Sequence, residues 1–94
     1  MPGTARAKKV VILGSTGSIG ESALRVAREI PEHMEVVGLA ANRSASKLAE
    51  QVSEFGVANV TLFDDSAIGE LKGGVPSGTQ IKSGMEGLVE LATL

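Results

Sequence analysis

The sequence predicts an α/β fold in which a parallel sheet of about four strands carries helices on both faces. Short apolar runs rich in β-branched residues alternate along the chain with longer segments of helical periodicity. Hydrophobic residues make up 43% of the chain and aromatic residues only 2%, so aliphatic side chains must fill the core. Such alternation joins parallel strands by right-handed crossovers. The expected architecture is therefore Rossmann-like, a three-layer and partial doubly wound domain.

The first strand and helix follow a short basic start. Residues 1–8 are expected to form a disordered tail, and residues 9–94 are expected to belong to one domain. An unbroken apolar run predicts a doubly buried strand, β1, over Lys9–Leu13. Apolar residues at helical spacing then predict helix α1 from Ser18 to about Ile30, and Pro31 stops it.

The middle of the chain repeats the pattern. A second apolar run predicts strand β2 over Val36–Ala41. Helix α2 is expected from about Ala45 to Phe55, with Ser44 as its N-cap and Gly56 just beyond its end. The short β-branched run Asn59–Phe63 predicts strand β3.

The last part of the chain predicts one more strand between two helices. Asp64 or Asp65 can cap a short helix, α3, that ends near Leu71. Strand β4 is expected around Gln80–Lys82 and helix α4 from about Met85 to Ala92. If a helix follows a fourth strand, β4 is expected to lie just past the switch point of the sheet, which is the place where the strand order reverses.

Composition excludes several classes of function. The chain has no cysteine, which rules out disulfides, thiolate zinc sites and cysteine nucleophiles, and fits a reducing, cytoplasmic location. A net charge of -2 and few aromatic residues make nucleic acid an unexpected partner. The longest apolar run, Val10–Leu13, is far too short to span a membrane.

A glycine-rich turn leads from β1 into α1, the position of the diphosphate site in dinucleotide-binding folds. Gly14 allows a tight turn, Gly17 lets backbone approach a diphosphate, and Gly20 lets α1 pack closely on the sheet. Free N–H groups and the dipole at the start of α1 favour negative charge. The candidate cofactor-binding residues are Gly14, Ser15, Thr16, Gly17, Ser18, Ile19 and Gly20, with hydroxyl donors at Ser15, Thr16 and Ser18. The alternative is an ordinary glycine-rich turn.

The end of β2 carries Ala41, Asn42, Arg43 and Ser44, where dinucleotide folds contact the adenosine ribose. A carboxylate would repel the 2′-phosphate of NADPH, and none stands there. Arg43 can donate a forked pair of hydrogen bonds to that phosphate, with Asn42 and Ser44 as polar neighbours. These residues predict NADPH rather than NADH. Alternatively, Arg43 is solvated and Ser44 only caps α2.

No catalytic or metal-binding residue is assigned, because no general acid or base is evident. The single histidine, His33, falls in a polar turn expected on the side of the sheet away from the strand carboxyl ends. Asp64 and Asp65 are adjacent residues after a strand, so capping explains them better than a metal site.

The run Val10–Gly20, VVILGSTGSIG, resembles the start of the 1-deoxy-D-xylulose 5-phosphate reductoisomerase family. The segments Val36–Ala41 and Leu48–Gln51 are similar to the second strand and helix of that family. The resemblance implies that Thr16–Ile19 match its coenzyme loop and that Asn42–Ser44 match its second NADPH-contacting turn. At that turn the family often has Gly, Lys or Ser, then Asn, and this chain departs from the pattern.

The resemblance implies an NADPH-dependent oxidoreductase of non-mevalonate isoprene biosynthesis. Such an enzyme isomerises and reduces 1-deoxy-D-xylulose 5-phosphate to 2-C-methyl-D-erythritol 4-phosphate, with Mg or Mn as divalent metal, and is a cytoplasmic homodimer. The resemblance covers nearly all of this chain but only the beginning of the enzyme, whose metal and substrate ligands are expected beyond Leu94. It implies that residues 9–94 are an incomplete, amino-terminal portion of a Rossmann-like NADP-binding domain. The chain should therefore bind NADPH and the remainder of the enzyme but not catalyse alone. The alternatives are a nucleotide-sensing or interaction module, or part of another NADP-dependent dehydrogenase.

Overall fold

The computed structural model describes residues 7–94 and contains a four-stranded parallel sheet with α-helices on both faces. Its elements are β1 (Lys8–Leu13), α1 (Ser18–Glu29), β2 (Met34–Ala41), α2 (Ala45–Phe55), β3 (Asn59–Leu62), a 3-10 turn (Asp65–Ala67), α3 (Ile68–Gly74), β4 (Gln80–Ser83) and α4 (Gly84–Ala92). The predicted fold class is confirmed. The tail expected over residues 1–8 lies outside the described residues except for its last two positions, and Lys8 already belongs to β1.

The strands lie side by side in the order in which they occur in the chain, and each neighbouring pair is parallel. The expected passage through a switch point at the fourth strand is therefore wrong. β4 pairs with β3, through Asn59↔Gln80 to Leu62↔Ser83, instead of lying beside β1. Over residues 7–94, no strand pairs with the second edge of β1.

The first three helices share one face of this sheet, and α4 covers the other. Leu24 of α1, Leu48 of α2 and Leu71 of α3 join one buried core with the strand residues Leu39 and Leu62. Burial of each such leucine contributes about 1.5–3 kcal/mol. Right-handed crossovers that continue in one direction place their helices on one face, which explains this grouping. α4 contacts β2, β3 and β4 from the opposite side.

α4 lies close to the sheet because glycines stand at two of its contact points. A Cβ on Gly38 would lie 2.6 Å from Cδ1 of Leu91, and a Cβ on Gly87 would lie 2.9 Å from Cγ2 of Thr61. The buried Thr61 hydroxyl donates a 3.0 Å hydrogen bond to the carbonyl of Gly87. α4 is thereby fixed against β2 and β3, next to the edge of the sheet that carries the candidate site.

The helix ends follow the local signals in most cases. α2 has the predicted bounds, and Gly56 ends it in the left-handed region with φ 63°. Asp64, predicted as a cap of α3, caps the preceding 3-10 turn instead, where its carboxylate accepts a 3.0 Å hydrogen bond from the N–H of Ser66. α3 itself begins at Ile68 without a side-chain cap and extends to Gly74, beyond its predicted end near Leu71. Ser44 occupies the N-cap position of α2, but its hydroxyl makes no capping hydrogen bond. The capping role predicted for that side chain is therefore wrong.

Candidate nucleotide-binding site

The turn after β1 is held by the neighbouring strand. Gly14 adopts a left-handed conformation with φ 74°, which glycine tolerates without strain. The N–H groups of Gly14 and Ser15 both donate to the carbonyl of Ala40 in β2, at 2.8 and 2.9 Å. The N–H of Gly17 donates back to the Gly14 carbonyl at 3.1 Å and closes the turn. These bonds fix the path of the backbone between β1 and α1.

Gly20 sets how closely α1 approaches this turn. A Cβ at Gly20 would lie 2.2 Å from the carbonyl oxygen of Gly14 and 2.6 Å from Cα of Ser15. Both atoms belong to the backbone, so they cannot rotate away as a side chain could. The predicted reason for a glycine at this position, close packing, is confirmed.

The start of α1 leaves backbone donors open. Within residues 7–94, no hydrogen bond is donated by the N–H groups of Thr16, Ser18, Ile19 or Gly20. Gly17, at the N-cap position, has no side chain that could satisfy them. The turn is accessible, and Ile19 is 88% exposed. The site can therefore accept an anion from solvent, with the positive end of the α1 dipole behind it.

Two residues of the predicted turn have other roles. Ser15 is 0% exposed, and its hydroxyl is buried without a hydrogen-bond partner in the described part of the chain. The structure thus overturns the expectation that this hydroxyl is offered to a ligand, because the side chain turns inward beneath the loop. The N–H of Gly17 is also used within the turn, whereas Thr16 and Ser18 remain at or near the surface.

The turn after β2 lies at the same edge of the sheet, since Leu13 of β1 is paired with Ala40 of β2. Asn42, Arg43 and Ser44 are exposed there. Ala41, by contrast, is buried, so its side chain belongs to the core rather than to the site.

The carboxylate of Asp64, predicted only as a helix cap, stands beside Arg43. The N–H of Asp64 donates a 2.7 Å hydrogen bond to the Asn42 carbonyl, which brings the end of β3 against this turn. The Ser66 hydroxyl, 2.6 Å from Oδ1 of Asp64, lowers the pKa of that carboxyl, with smaller effects from the Ser66 N–H and from the charge of Arg43. Asp64 therefore stays ionised at neutral pH. Arg43 and Asp64 come together because β2 and β3 pair in the sheet. No local sequence motif predicts this contact.

Two shallow depressions flank this turn. The Arg43 pocket, of about 490 Å³, is lined by Asn42, Arg43, Phe63, Asp64 and Asp65. The Phe63 pocket, of about 340 Å³, is more apolar and is lined by Ala40, Ala41, Asn42, Phe63 and Leu88. Asn42 and Phe63 border both, so the two pockets adjoin. Neither Phe63 nor Leu88 was predicted as a site residue, and Leu88 reaches this pocket only because α4 packs on the second face of the sheet.

Two features are absent from the described residues, a metal-binding cluster and a membrane-spanning helix. Residues 7–94 contain no group of three or more His, Cys, Asp and Glu side chains placed to hold a metal ion. In the same part of the chain, no helix combines the length and apolar character needed to cross a membrane. His33 lies at the opposite end of the sheet, with its side chain 64% exposed in the turn before β2.

The fold and the open turn after its first strand define a Rossmann-like α/β protein. The family model of 1-deoxy-D-xylulose 5-phosphate reductoisomerase matches residues 10–94, and the chain belongs to that family. The chain is 49% identical over 87 residues to the reductoisomerase of Thermodesulfovibrio yellowstonii, covering 93% of this chain and 23% of that protein. It is 45% identical over 86 residues to that of Anaeromyxobacter sp. (strain K), covering 92% and 22%. The resemblance drawn from the sequence is confirmed.

Solved structures agree with this family assignment. The reductoisomerase of Zymomonas mobilis in complex with NADPH superimposes with a TM-score of 0.88 at 29% identity, covering 95% of this chain and 24% of that one. A reductoisomerase in complex with NADPH, fosmidomycin and magnesium superimposes with a TM-score of 0.79 at 31% identity, covering 92% and 22%. The chain thus spans less than a quarter of the length of these relatives.

Proposed function

We propose that this chain is the NADPH-binding part of a 1-deoxy-D-xylulose 5-phosphate reductoisomerase. The observation that carries the proposal is the pairing of two features at one sheet edge. Unsatisfied N–H groups at the start of α1 suit a diphosphate, and the exposed Arg43 at the end of the adjacent strand suits a further phosphate. NADPH carries both groups, whereas NADH lacks the second.

The binding mode follows from the two pockets. The diphosphate binds the N–H groups of Thr16, Ser18 and Ile19, and the 2′-phosphate binds Arg43 in the Arg43 pocket. Asn42 and Ser44 hydrogen-bond beside it. The apolar Phe63 pocket takes the adenine, because a flat base buries well against an aromatic ring that is 40% exposed. Of the predicted residues, Gly14, Gly17 and Gly20 shape the first turn and make no contact with the coenzyme in this binding mode. The side chains of Ser15 and Ala41 are buried and make none either.

The chain's share of the reaction is to hold and orient the coenzyme. Bound NADPH would supply the hydride that reduces the rearranged substrate. Residues 7–94 supply no metal centre, so the divalent metal and the substrate are assigned to the remainder of the enzyme. We further propose that the intact enzyme is a cytoplasmic homodimer and that this chain alone does not turn over substrate.

Calorimetric titration of the chain with NADPH, NADH and inorganic phosphate tests the binding proposal. NADPH should bind more tightly than NADH, because only NADPH can engage Arg43. Weak and equal binding of all three would contradict the coenzyme preference, and no binding of NADPH at saturating concentration would contradict the site itself.

A chimera tests the enzymatic role. The matching amino-terminal segment of the Thermodesulfovibrio yellowstonii protein would be replaced by residues 10–94 of this chain, and NADPH oxidation would be followed with 1-deoxy-D-xylulose 5-phosphate. Substrate-dependent oxidation is expected from the chimera and not from the chain alone. A folded chimera that binds NADPH without oxidising it would favour a nucleotide-sensing module instead.

A further inference from the structure

Helix α2 presents a row of polar side chains to α1 and to the turn after β1. Lys47 pairs with Glu21 at 2.6 Å, and Glu54, two turns further along α2, accepts a pair of hydrogen bonds from Arg28. Both ion pairs are well exposed and contribute little to stability. Gln51 lies between them and behaves differently, because it is partly buried and reaches the turn itself.

Gln51 bonds to the backbone of the turn rather than to α1. Its Nε2 donates a 2.9 Å hydrogen bond to the carbonyl of Ser15. Its Oε1 is buried, and in the described part of the chain it has no hydrogen-bond partner. A buried oxygen without a partner is unfavourable. An apolar side chain such as Met would therefore destabilise the fold less at this position than Gln does. The amide at this position is therefore better explained by the hydrogen bond that its Nε2 donates to the Ser15 carbonyl.

Gln51 Nε2 holds the Ser15–Thr16 peptide, which carries the first N–H group of the turn that donates no hydrogen bond. The carbonyl of Ser15 and the N–H of Thr16 belong to one planar trans peptide, in which they point in opposite directions. When Gln51 holds the carbonyl inward, the N–H of Thr16 must therefore face away from α2. That N–H donates no hydrogen bond within residues 7–94.

We propose that Gln51 is a positioning residue that orients the Thr16 N–H toward the diphosphate. The inference rests on the proposed function, because it concerns the same turn. Gln51 does not touch the coenzyme, and it acts through the Ser15–Thr16 peptide. Without its hydrogen bond the peptide can rotate and offer the carbonyl oxygen, which repels an anion, in place of the N–H.

Substitution Gln51→Met tests this role, because Met keeps the length of the side chain and removes both polar atoms. NADPH affinity should fall by about three- to tenfold, the effect of one hydrogen bond, while the midpoint of urea unfolding stays close to that of the parent chain. Ser53→Met, at an exposed position of the same helix, is the matched control and should leave affinity unchanged. Wild-type affinity in Gln51→Met would overturn the proposal.

Substitution Gln51→Glu provides an independent test without coenzyme. An ionised carboxylate cannot donate to the Ser15 carbonyl, so the amide resonance of Thr16 should move in a ¹H–¹⁵N spectrum at neutral pH. It should return toward its original position as pH falls through the pKa of the carboxyl, ordinarily about 4.3, because the protonated acid donates again. A Thr16 resonance indifferent to both substitution and pH would overturn the proposal.

The two tests separate this inference from the proposed function. If the parent chain does not bind NADPH, the proposed function fails, and the Thr16 resonance of the coenzyme-free chain still shows whether Gln51 orients the peptide. If the parent chain binds NADPH and both Gln51 variants behave as the parent does, only the positioning role fails.

Discussion

The turns after β1 and β2 lie side by side at one sheet edge but are built in different ways. The first turn is defined by backbone: it is tied to β2 and α2 by hydrogen bonds, and Gly20 packs against it without space for a side chain. The second presents exposed side chains, chiefly Arg43, on a backbone that pairs with the end of β3. In the binding mode that we propose, recognition of the diphosphate, which is common to all dinucleotides, rests on fixed backbone geometry. Discrimination between coenzymes would then rest on exposed side chains, which can change without harm to the fold.

The largest effect is expected when the backbone-defined turn is broken by Gly20→Ala. The new Cβ would collide with backbone atoms of Gly14 and Ser15, so the turn must open. We expect the free energy of unfolding to fall by about 1–3 kcal/mol and NADPH affinity to fall by more than about tenfold, measured by urea denaturation and calorimetry. Gly69→Ala, in α3 with open space around it, is the control and should be neutral or stabilising. Comparable behaviour of the two variants would contradict the close-packing role of Gly20.

A substitution in the second turn should change the affinity for NADPH but not the stability of the fold. Arg43→Glu replaces a donor to the 2′-phosphate by a repelling charge, so NADPH affinity should fall by about 10- to 100-fold, whereas NADH affinity should change little. Because Arg43 is exposed, thermal unfolding should be unaffected. Lys72→Glu, at an exposed site near the end of α3, makes the same change in net charge and serves as control. An equal loss of affinity in both variants would mean that only overall charge matters.

A smaller gain in affinity is expected from Asp64→Asn. The Asp64 carboxylate lies in the Arg43 pocket and opposes a bound phosphate, although solvent screens it. We expect NADPH to bind about two- to fivefold more tightly, and NADH affinity, the internal control, to stay the same. Asn preserves the cap of the 3-10 turn, so loss of the fold is not expected. A similar gain for NADH would show that the carboxylate acts on the diphosphate instead.

The smallest effect concerns acid stability. Folding lowers the pKa of Asp64 below its ordinary value of 3.8, chiefly through the Ser66 hydroxyl. The stabilisation is fully present above the ordinary value and disappears as pH falls through the pKa of the folded protein. The difference in unfolding midpoint between the parent chain and Asp64→Asn should therefore shrink as urea titrations move from about pH 6 to about pH 2. A difference independent of pH would contradict the assigned cause.

Features of the two turns that depend on neighbouring residues in the chain could be predicted from the sequence. Features that depend on packing between distant residues could not. The glycines after β1 and the end of α2 at Gly56 were predictable because backbone conformation depends on neighbours in the chain. The burial of the Ser15 side chain was not, because burial depends on packing by residues distant in the chain. Gln51 is 36 positions from Ser15, and nothing in its helical pattern marks it as polar support for a distant turn.

The place of β4 shows the same limit at the level of the sheet. Alternating strands and helices predicted parallel pairing, which is confirmed, but a crossover in either direction satisfies that pattern. The choice is made by the crossover helix α3, which packs beside α2 on the face that also carries α1. Gly38 and Gly87 provide the close contact that α4 needs on the second face, and this became evident only from the three-dimensional structure.

The arrangement of strands in chain order lets the molecule assemble stepwise as it is synthesised. Each strand pairs with the strand that precedes it in the chain, so each pairing can form as soon as both strands have been synthesised. The turn after β1, its anchor at Ala40 and its support at Gln51 are all present once the first 51 residues have emerged. We expect the turn after β1 to take shape on the ribosome before β3 and β4 have emerged.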